Sequence, residues 1–158
     1  MKNKKIIITG GAGYIGCHVV EELINSNYQV VVIDRLSFDA NSLDSVKNNK
    51  NLTIVKEDLR NVSNLEAHLN GAEAVIHLAA LVGEAACNMS ESDSISINYD
   101  ATIRLCDLAR KSKVKKFIFM STASSYGVQD INEIANEKTK LNPVSLYAKT
   151  KIDCENDL

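Results

Sequence analysis

The stretch KKIIITGGAGYIGCHVV, residues 4–20, decides the fold prediction for this chain. An apolar β-branched run ends at Thr9, and the spacing of apolar residues becomes helical from Tyr14 onward. Four glycines lie at the junction of the two patterns: Gly10, Gly11, Gly13 and Gly16. Each glycine carries an entropic cost on folding, so a cluster of four at this junction indicates a turn that needs bare backbone.

The same alternation of apolar runs and helical patterns continues along the chain. Apolar runs that fit buried parallel strands occupy residues 6–9, 30–33, 52–55, 74–78 and 117–120. Helical patterns occupy residues 14–25 and 94–111, and Ser63 followed by Glu66 predicts a capping box that opens a short helix. We therefore predict an α/β fold, a doubly wound parallel sheet of Rossmann-like type with about five strands and helices on both faces. We expect one domain over residues 1–158.

Composition excludes several classes of function. The 158 residues are 45% hydrophobic and 24% charged with a formal net charge of -2, which is ordinary for a soluble protein and predicts no nucleic-acid partner. The four cysteines are widely spaced and lack a metal-ligand pattern, so we predict no metal site. Because we find neither a signal peptide nor a run that could span a bilayer, we expect a cytoplasmic protein with free thiols and no membrane association.

A strand, a glycine turn and a helix in this order favour a dinucleotide site, because the backbone can approach a diphosphate at the helix N-terminus. Asp34 follows about twenty residues later, at the end of the second predicted strand. A carboxylate there accepts both adenosine ribose hydroxyls and repels a 2′-phosphate, which favours NAD over NADP. Arg35 argues the other way, since a guanidinium pairs with a 2′-phosphate; its alternative interpretation is a solvated loop residue. Asp34 could likewise be a turn former.

Tyr147 and Lys151 form a second candidate pair. They stand four residues apart in a segment after Pro143, so they share one face if that segment is helical. An ammonium beside a phenol favours the phenolate, so we expect a lowered pKa for Tyr147 and a role in proton transfer. This spacing alone is common in helices, and its weight comes from the glycine turn and from the hydroxyl cluster in FIFMSTASSYG.

Six motifs occur in one order along the chain: TGGAGYIG, DLRN, HLAA, NYDAT, STASSYG and YAKTK. Together the motifs resemble the extended short-chain dehydrogenase/reductase family, in particular its NAD-dependent nucleotide-sugar epimerases and dehydratases. The resemblance implies a set of cofactor contacts: Gly10, Gly13, Tyr14, Ile15, Gly16, Asp34, Arg35, Asp58, Leu59, Leu78, Ala79, Ala80, Asn98, Tyr147 and Lys151. It also implies a nucleotide-sugar substrate for the complete protein.

The resemblance implies three catalytic residues. Thr122 would hydrogen-bond the reacting oxygen of the sugar, Tyr147 would be the acid/base, and Lys151 would bind the nicotinamide ribose and tune Tyr147. The implied chemistry removes a proton from a sugar hydroxyl as hydride passes to NAD, and the resulting keto-sugar is then reduced. The alternative for Thr122 is a hydroxyl that caps a backbone group. His77 is interpreted as a packing and hydrogen-bonding residue.

Two departures from the family pattern shape the expected function. Ala123 and Ser124 replace the Asp-Glu pair of sugar dehydratases, so epimerisation or keto-reduction is favoured. Family members have about twice as many residues, so we interpret the chain as an N-terminal fragment or a truncated product that binds NAD with little or no turnover. The fifth strand would then be an apolar edge prone to self-association as a homo-oligomer. A non-enzymatic dinucleotide-binding module and an inactive truncated product remain as alternatives.

Overall fold

The computed structural model describes residues 4–37, 41–129 and 134–158. The chain divides into two compact units, one formed by Met1–Ala80 with Arg104–Met120 and the other by Leu81–Ile103 with Ser121–Leu158. The predicted single domain over 1–158 stays a prediction, and residues 1–3, 38–40 and 130–133 of that range lie outside the described residues.

The first unit contains a parallel sheet with the strand order β3-β2-β1-β4-β5. Its strands are β1 (Lys5–Thr9), β2 (Gln29–Asp34), β3 (Leu52–Lys56), β4 (Ala72–His77) and β5 (Lys116–Phe119). The predicted α/β class, the parallel sheet and all five strands are confirmed. The order reverses between β1 and β4, and in sheets of this kind ligands bind at the carboxyl ends of the strands beside such a reversal.

The central strands are buried on both faces. On one face, the helix α1 (Tyr14–Asn25) contributes Val20 and Ile24 to a core cluster that also contains Ile8 and Val32 of the sheet. Successive strand residues point to opposite faces, so Ile7 and its neighbours on β2 and β4 belong to the other side, and they are buried as well. The register of β1 is therefore strongly specified, because a slip by one residue would exchange its two buried faces.

The outer strands differ from the prediction of fully buried runs. In β3, Thr53 and Ile54 are exposed, and in β5, Lys116 and Ile118 are exposed. Both strands lie at the edges of the described sheet, where only one side is paired. The expected apolar edge at β5 is confirmed, and an equally open edge at β3 was not predicted.

Two helix predictions are wrong in detail. The short helix α2 (Leu65–Leu69) begins after Asn64, which adopts a left-handed conformation with φ of 54°. The predicted capping box does not form, because the Ser63 N–H donates to Glu57 Oε2 instead. Glu57 thereby accepts from the amide that the capping pattern assigned to Glu66, and the helix begins one residue later than the pattern requires, with Asn64 as its N-cap.

The predicted helix over 94–111 is present, but part of it is π-helical. The structure has α3 (Glu84–Met89), α4 (Glu91–Ile95), a π-helical turn over Ser96–Asp100, and α5 (Ala101–Lys111). Single π turns inside helices insert a residue and often occur at functional sites. The last helix, α6 (Leu146–Asp157), follows a loop whose residues 130–133 lie outside the described part.

Among the residues that the structure describes, no helix combines the length and the apolar character needed to cross a membrane. All four cysteines are unpaired; Cys17 is partly buried and the other three are buried.

Candidate functional site

The glycines of the first turn have separate structural tasks. Gly10 has a φ of +71°, and a Cβ on it would lie 2.6 Å from the Ala79 backbone nitrogen. A Cβ on Gly16 would collide with the Gly10 carbonyl oxygen and lie 2.7 Å from Gly11 Cα. Gly13 differs, because its Cβ would meet only the Gly10 carbonyl oxygen, at 3.2 Å, and the residue is partly exposed. Gly10 and Gly16 therefore allow the close backbone contacts within the turn. At Gly13, the space that a Cβ would occupy is open to a ligand.

The N-terminus of α1 is suited to an anion. Gly13 is its N-cap with extended backbone, and no side chain in the described part of the protein caps this end. Uncapped N–H groups and the positive end of the helix dipole together attract a negatively charged group. The predicted contacts Tyr14 and Ile15 lie in this first turn and are 89% and 51% exposed.

Asp34 is tied to the glycine turn. Its Oδ2 accepts a hydrogen bond from the Ala12 N–H at 3.0 Å, and its Oδ1 accepts one from the Leu36 N–H at 2.8 Å. Each carboxylate oxygen retains capacity for a further hydrogen bond, which ribose hydroxyls can supply. Asp34 is thus both a turn former and an oriented acceptor, so the two interpretations from the sequence are compatible.

Arg35 is engaged with the predicted adenine-contact segment. Its NH1 donates to Asp58 Oδ2 at 3.2 Å and its Nε donates to Ser37 Oγ at 3.2 Å. Asp58 also accepts from the Arg60 guanidinium, with NH2 at 2.8 Å, and from the Arg60 N–H at 2.9 Å. The Arg60 hydrogen bond is the main reason that the pKa of Asp58 is lowered to about 2. Leu59, between the two, is buried.

The end of β4 packs against the end of β1. Thr9 Oγ1 and His77 Nδ1 are 2.5 Å apart, and both residues are fully buried. The His77 ring stacks on Phe119 with centroids 5.8 Å apart. The interpretation of His77 as a packing and hydrogen-bonding residue is confirmed. The predicted contacts Leu78, Ala79 and Ala80 follow it as partly exposed residues at the carboxyl end of the sheet.

In the second unit, Tyr147 and Lys151 share one face of α6, as their spacing predicts. The Ser145 hydroxyl caps this helix by accepting from the Ala148 N–H at 3.2 Å. Lys151 Nζ lies 5.9 Å from the centroid of the Tyr147 ring, within the range of a cation–π contact. Lys151 is only 2% exposed, and burial lowers the pKa of its ammonium to about 8.

The expected lowering of the Tyr147 pKa is wrong for the protein alone. Burial raises the pKa of the phenol, with a smaller contribution in the same direction from Cys87. The sequence pattern indicated the nearby ammonium but carried no signal for the loss of hydration, which disfavours the charged form of either group.

The Thr122 hydroxyl caps a backbone group, as the alternative interpretation of this residue predicted. Its Oγ1 accepts from the Ser124 N–H at 3.2 Å and caps a 3-10 turn over Ala123–Tyr126. A hydroxyl that accepts such a bond still has its proton to donate. The catalytic role of Thr122 therefore stays a prediction, compatible with its capping role.

Asn98, predicted as a cofactor contact, makes structural contacts within the second unit, and its cofactor role stays a prediction. It is 1% exposed, and its amide accepts from the Leu81 N–H at 2.7 Å and donates to the Leu81 carbonyl at 3.0 Å. The backbone carbonyl of Asn98 accepts from the Cys154 thiol at 3.2 Å. Cys154 lies on α6, about one turn after Lys151. This network is centred on the π turn and links three segments of the second unit. It was not predicted, because nothing in the sequence indicates which backbone groups a buried amide will contact.

Comparison with protein families decides the assignment. The family model described as "NAD dependent epimerase/dehydratase family" matches residues 6–157. This chain belongs to the NAD-dependent epimerase/dehydratase family. The resemblance inferred from the six motifs is thereby confirmed.

Several relatives in this family are nucleotide-sugar epimerases. The chain is 38% identical over 160 residues to the UDP-glucose 4-epimerase of Bacillus subtilis, and the match covers 95% of this chain and 45% of that protein. Among solved structures, it matches the UDP-N-acetylglucosamine 4-epimerase of Methanobrevibacter ruminantium with a TM-score of 0.91 and 36% identity, covering 99% of this chain and 49% of that one. It also matches the UDP-glucuronic acid 4-epimerase of Bacillus cereus, solved with UDP-glucuronic acid and NAD, with a TM-score of 0.88, 31% identity and coverage of 96% and 50%.

This epimerase/dehydratase-family chain spans about half the length of the relatives it matches. Sequence reasoning located most of the candidate positions at strand ends and on α6. It missed Arg60 and Cys154, although the motif DLRN does place an arginine two residues after Asp58.

Proposed function

We propose that this chain is the cofactor-binding part of an NAD-dependent nucleotide-sugar epimerase. One observation carries the proposal. The Asp34 carboxylate is hydrogen-bonded to the Ala12 N–H inside the glycine turn, so the ribose acceptor and the diphosphate-binding backbone form one preorganised element.

The residues present fit NAD. The open side of Gly13 and the uncapped N-terminus of α1 would bind the diphosphate. Asp34 would accept the adenosine ribose hydroxyls and repel a 2′-phosphate. The partner of Arg35 is Asp58, so the guanidinium that argued for NADP is already engaged in an ion pair.

When bound, NAD supplies a hydride acceptor and donor, and the protein supplies proton transfer and orientation. Tyr147 would take the proton of the sugar hydroxyl. To accept that proton Tyr147 must first be a phenolate, and Lys151, with a pKa of about 8 and mostly an ammonium at neutral pH, would stabilise that phenolate until the transfer converts it to the phenol. Thr122 would donate its free hydroxyl proton to the reacting oxygen. Ala123 and Ser124 provide no carboxylate for water elimination, which favours epimerisation over dehydration.

The cofactor part of this proposal is tested by isothermal titration of the chain with NAD and NADP. We expect NAD to bind more tightly, and Gly13→Ala to weaken binding about tenfold or more, because a methyl group would occupy the open side of the turn. The melting temperature of Gly13→Ala should stay near that of the parent. Absence of heat with either dinucleotide, from a chain shown to be folded by circular dichroism, would remove the cofactor claim.

The catalytic part is tested in a longer protein that contains this chain and shows isomerisation of UDP-hexoses. We expect Tyr147→Phe to lower kcat by about 10²- to 10⁴-fold, the usual contribution of a general acid or base. Tyr99→Phe is the matched control, since the Tyr99 phenol donates to Asp157 at the end of α6 and has no proposed catalytic role. Equal activity of Tyr147→Phe and the parent would favour the alternative of a dinucleotide-binding module without this chemistry.

A further inference from the structure

Arg35 holds a position that matters for the choice between dinucleotides. It directly follows Asp34, and in this fold an arginine near that carboxylate can accommodate the 2′-phosphate of NADP. The side chain of Arg35 is 43% exposed, so a ligand could reach it. Its NH1, however, donates to Asp58 Oδ2 at 3.2 Å.

Asp58 is shared between two guanidinium groups. Arg60 donates to it through Nε, at 3.1 and 3.2 Å to the two carboxylate oxygens, and through NH2 at 2.8 Å. The turn that carries Asp58 and Arg60 is held in place by Arg104, whose NH1 donates to the Leu59 and Arg60 carbonyls at 3.2 and 3.1 Å. The position of the carboxylate therefore does not depend on Arg35.

The charges of the four residues Asp34, Arg35, Asp58 and Arg60 balance. Asp34 and Asp58 contribute two negative charges, and Arg35 and Arg60 contribute two positive charges. A 2′-phosphate would bring up to two further negative charges to this place. To bind it, Arg35 would have to exchange one charge-assisted hydrogen bond for another, which yields little net free energy.

We propose that Asp58 is a specificity-determining residue: by engaging Arg35, it keeps that guanidinium from binding a 2′-phosphate and so strengthens the preference for NAD over NADP. The inference rests on the proposed function, because it concerns the adenosine end of the same site. The hydrogen bonds from Arg60 keep the pKa of Asp58 at about 2, so the carboxylate stays ionised at any pH where the protein would work.

The test is Asp58→Asn, with affinities for NAD and NADP measured by isothermal titration. Asparagine retains the cap of the 3-10 turn, because its amide oxygen also accepts from the Arg60 N–H, so the fold should persist. The readout is the ratio of the two dissociation constants, since any loss of an adenine contact affects both dinucleotides alike. We expect the ratio to shift toward NADP by about tenfold, the size of one charge-assisted hydrogen bond.

Two double variants assign the effect to one guanidinium. Asp58→Asn with Arg35→Gln should return the ratio to that of the parent, because the released cation is gone. Asp58→Asn with Arg60→Gln should keep the shifted ratio. The reverse pattern would mean that Arg60 captures the phosphate and would overturn the assignment to Arg35.

The outcomes separate this inference from the proposed function. If the parent chain binds NAD and Asp58→Asn leaves the ratio within twofold of the parent, Asp58 does not determine specificity and the cofactor site stands. If the folded parent chain binds neither dinucleotide, the proposed function fails and this inference fails with it.

Discussion

The glycine turn of the first unit and the helix α6 of the second differ in how their surroundings affect charged groups. Around the glycine turn, Asp34 accepts from two backbone N–H groups and Asp58 accepts from two arginines, so the fold stabilises the charged form of Asp58. On α6, burial disfavours the charged forms of both Tyr147 and Lys151. The first region thus stabilises a charged group, whereas the second disfavours charge on the two residues that we propose for proton transfer.

A binding site gains from groups whose partners are already in place, because little reorganisation is then needed when the ligand arrives. Proton transfer instead needs groups whose two protonation states are close in free energy near the working pH. Lys151 approaches that condition, with a pKa of about 8 in place of 10.5. Strong shifts of this kind cluster at functional sites.

The largest effect that would sharpen this comparison is expected from Gly16→Ala. Its Cβ would collide with the Gly10 carbonyl, and neither backbone segment can move without opening the turn. The change should lower the free energy of unfolding by about 3 kcal/mol, despite the better helix propensity of alanine. Denaturant unfolding measures it, with Gly13→Ala as the control that should change stability by about 0.5 kcal/mol or less. Equal losses from both variants would contradict the division of tasks between these glycines.

A somewhat smaller effect is expected from the buried ammonium of Lys151. The folded-state pKa of about 8 lies below the value of 10.5 for an exposed lysine, so between these values the unfolded chain binds more protons than the folded one. The contribution of Lys151 to stability should therefore rise with pH across this window, by about 2 kcal/mol from pH 7 to pH 9.5, while the raised pKa of Cys154, about 11, acts in the opposite direction. Below pH 8 the cost of burying the charge is fully present.

Lys151→Met provides the matched comparison for that pH dependence. It keeps most of the side-chain volume and removes the charge, so its unfolding free energy should be higher than that of the parent at pH 7 and should lack the rise. Urea unfolding at several pH values measures both proteins. A difference in stability between the two proteins that stays constant from pH 7 to pH 9.5 would show that Lys151 is not destabilised by burial.

The smallest effect concerns the start of α6. Ser145→Ala removes the hydroxyl that accepts from the Ala148 N–H and should lower the free energy of unfolding by about 1 kcal/mol. Ser145→Asp should retain stability, because a carboxylate also caps the helix and interacts favourably with its dipole. If the alanine variant loses no stability, α6 is held by its buried residues alone and the cap contributes nothing measurable.

The elements that sequence patterns predicted correctly are those whose signal is local. The β-branched runs became the five strands, and α1 occupies the predicted residues 14–25, because periodicity and glycines act within a few residues of each other. The capping box of Ser63 and Glu66 failed because Glu57 supplies a competing acceptor. The helix over 94–111 was predicted as continuous because a π turn changes hydrogen bonding without changing which residue types are present.

The candidate site divides in the same way. The glycines, Asp34 and the pair on α6 were recognisable from their spacing taken together with the other motifs along the chain. The ion pairs of Asp58, the contact of Asn98 with Leu81, and the raised pKa of Tyr147 were not, since each depends on groups that are distant in sequence or on burial.

By itself, the sequence determined the strand runs, the first helix, the glycine turn and the residue types available for chemistry, because these follow from side-chain period and backbone freedom over short distances. Only the tertiary structure decided which edges stay open, which partner each charge acquires and in which direction each pKa moves. Those outcomes depend on the loss of water around a group and on atoms brought from remote parts of the chain, and neither is written in local spacing.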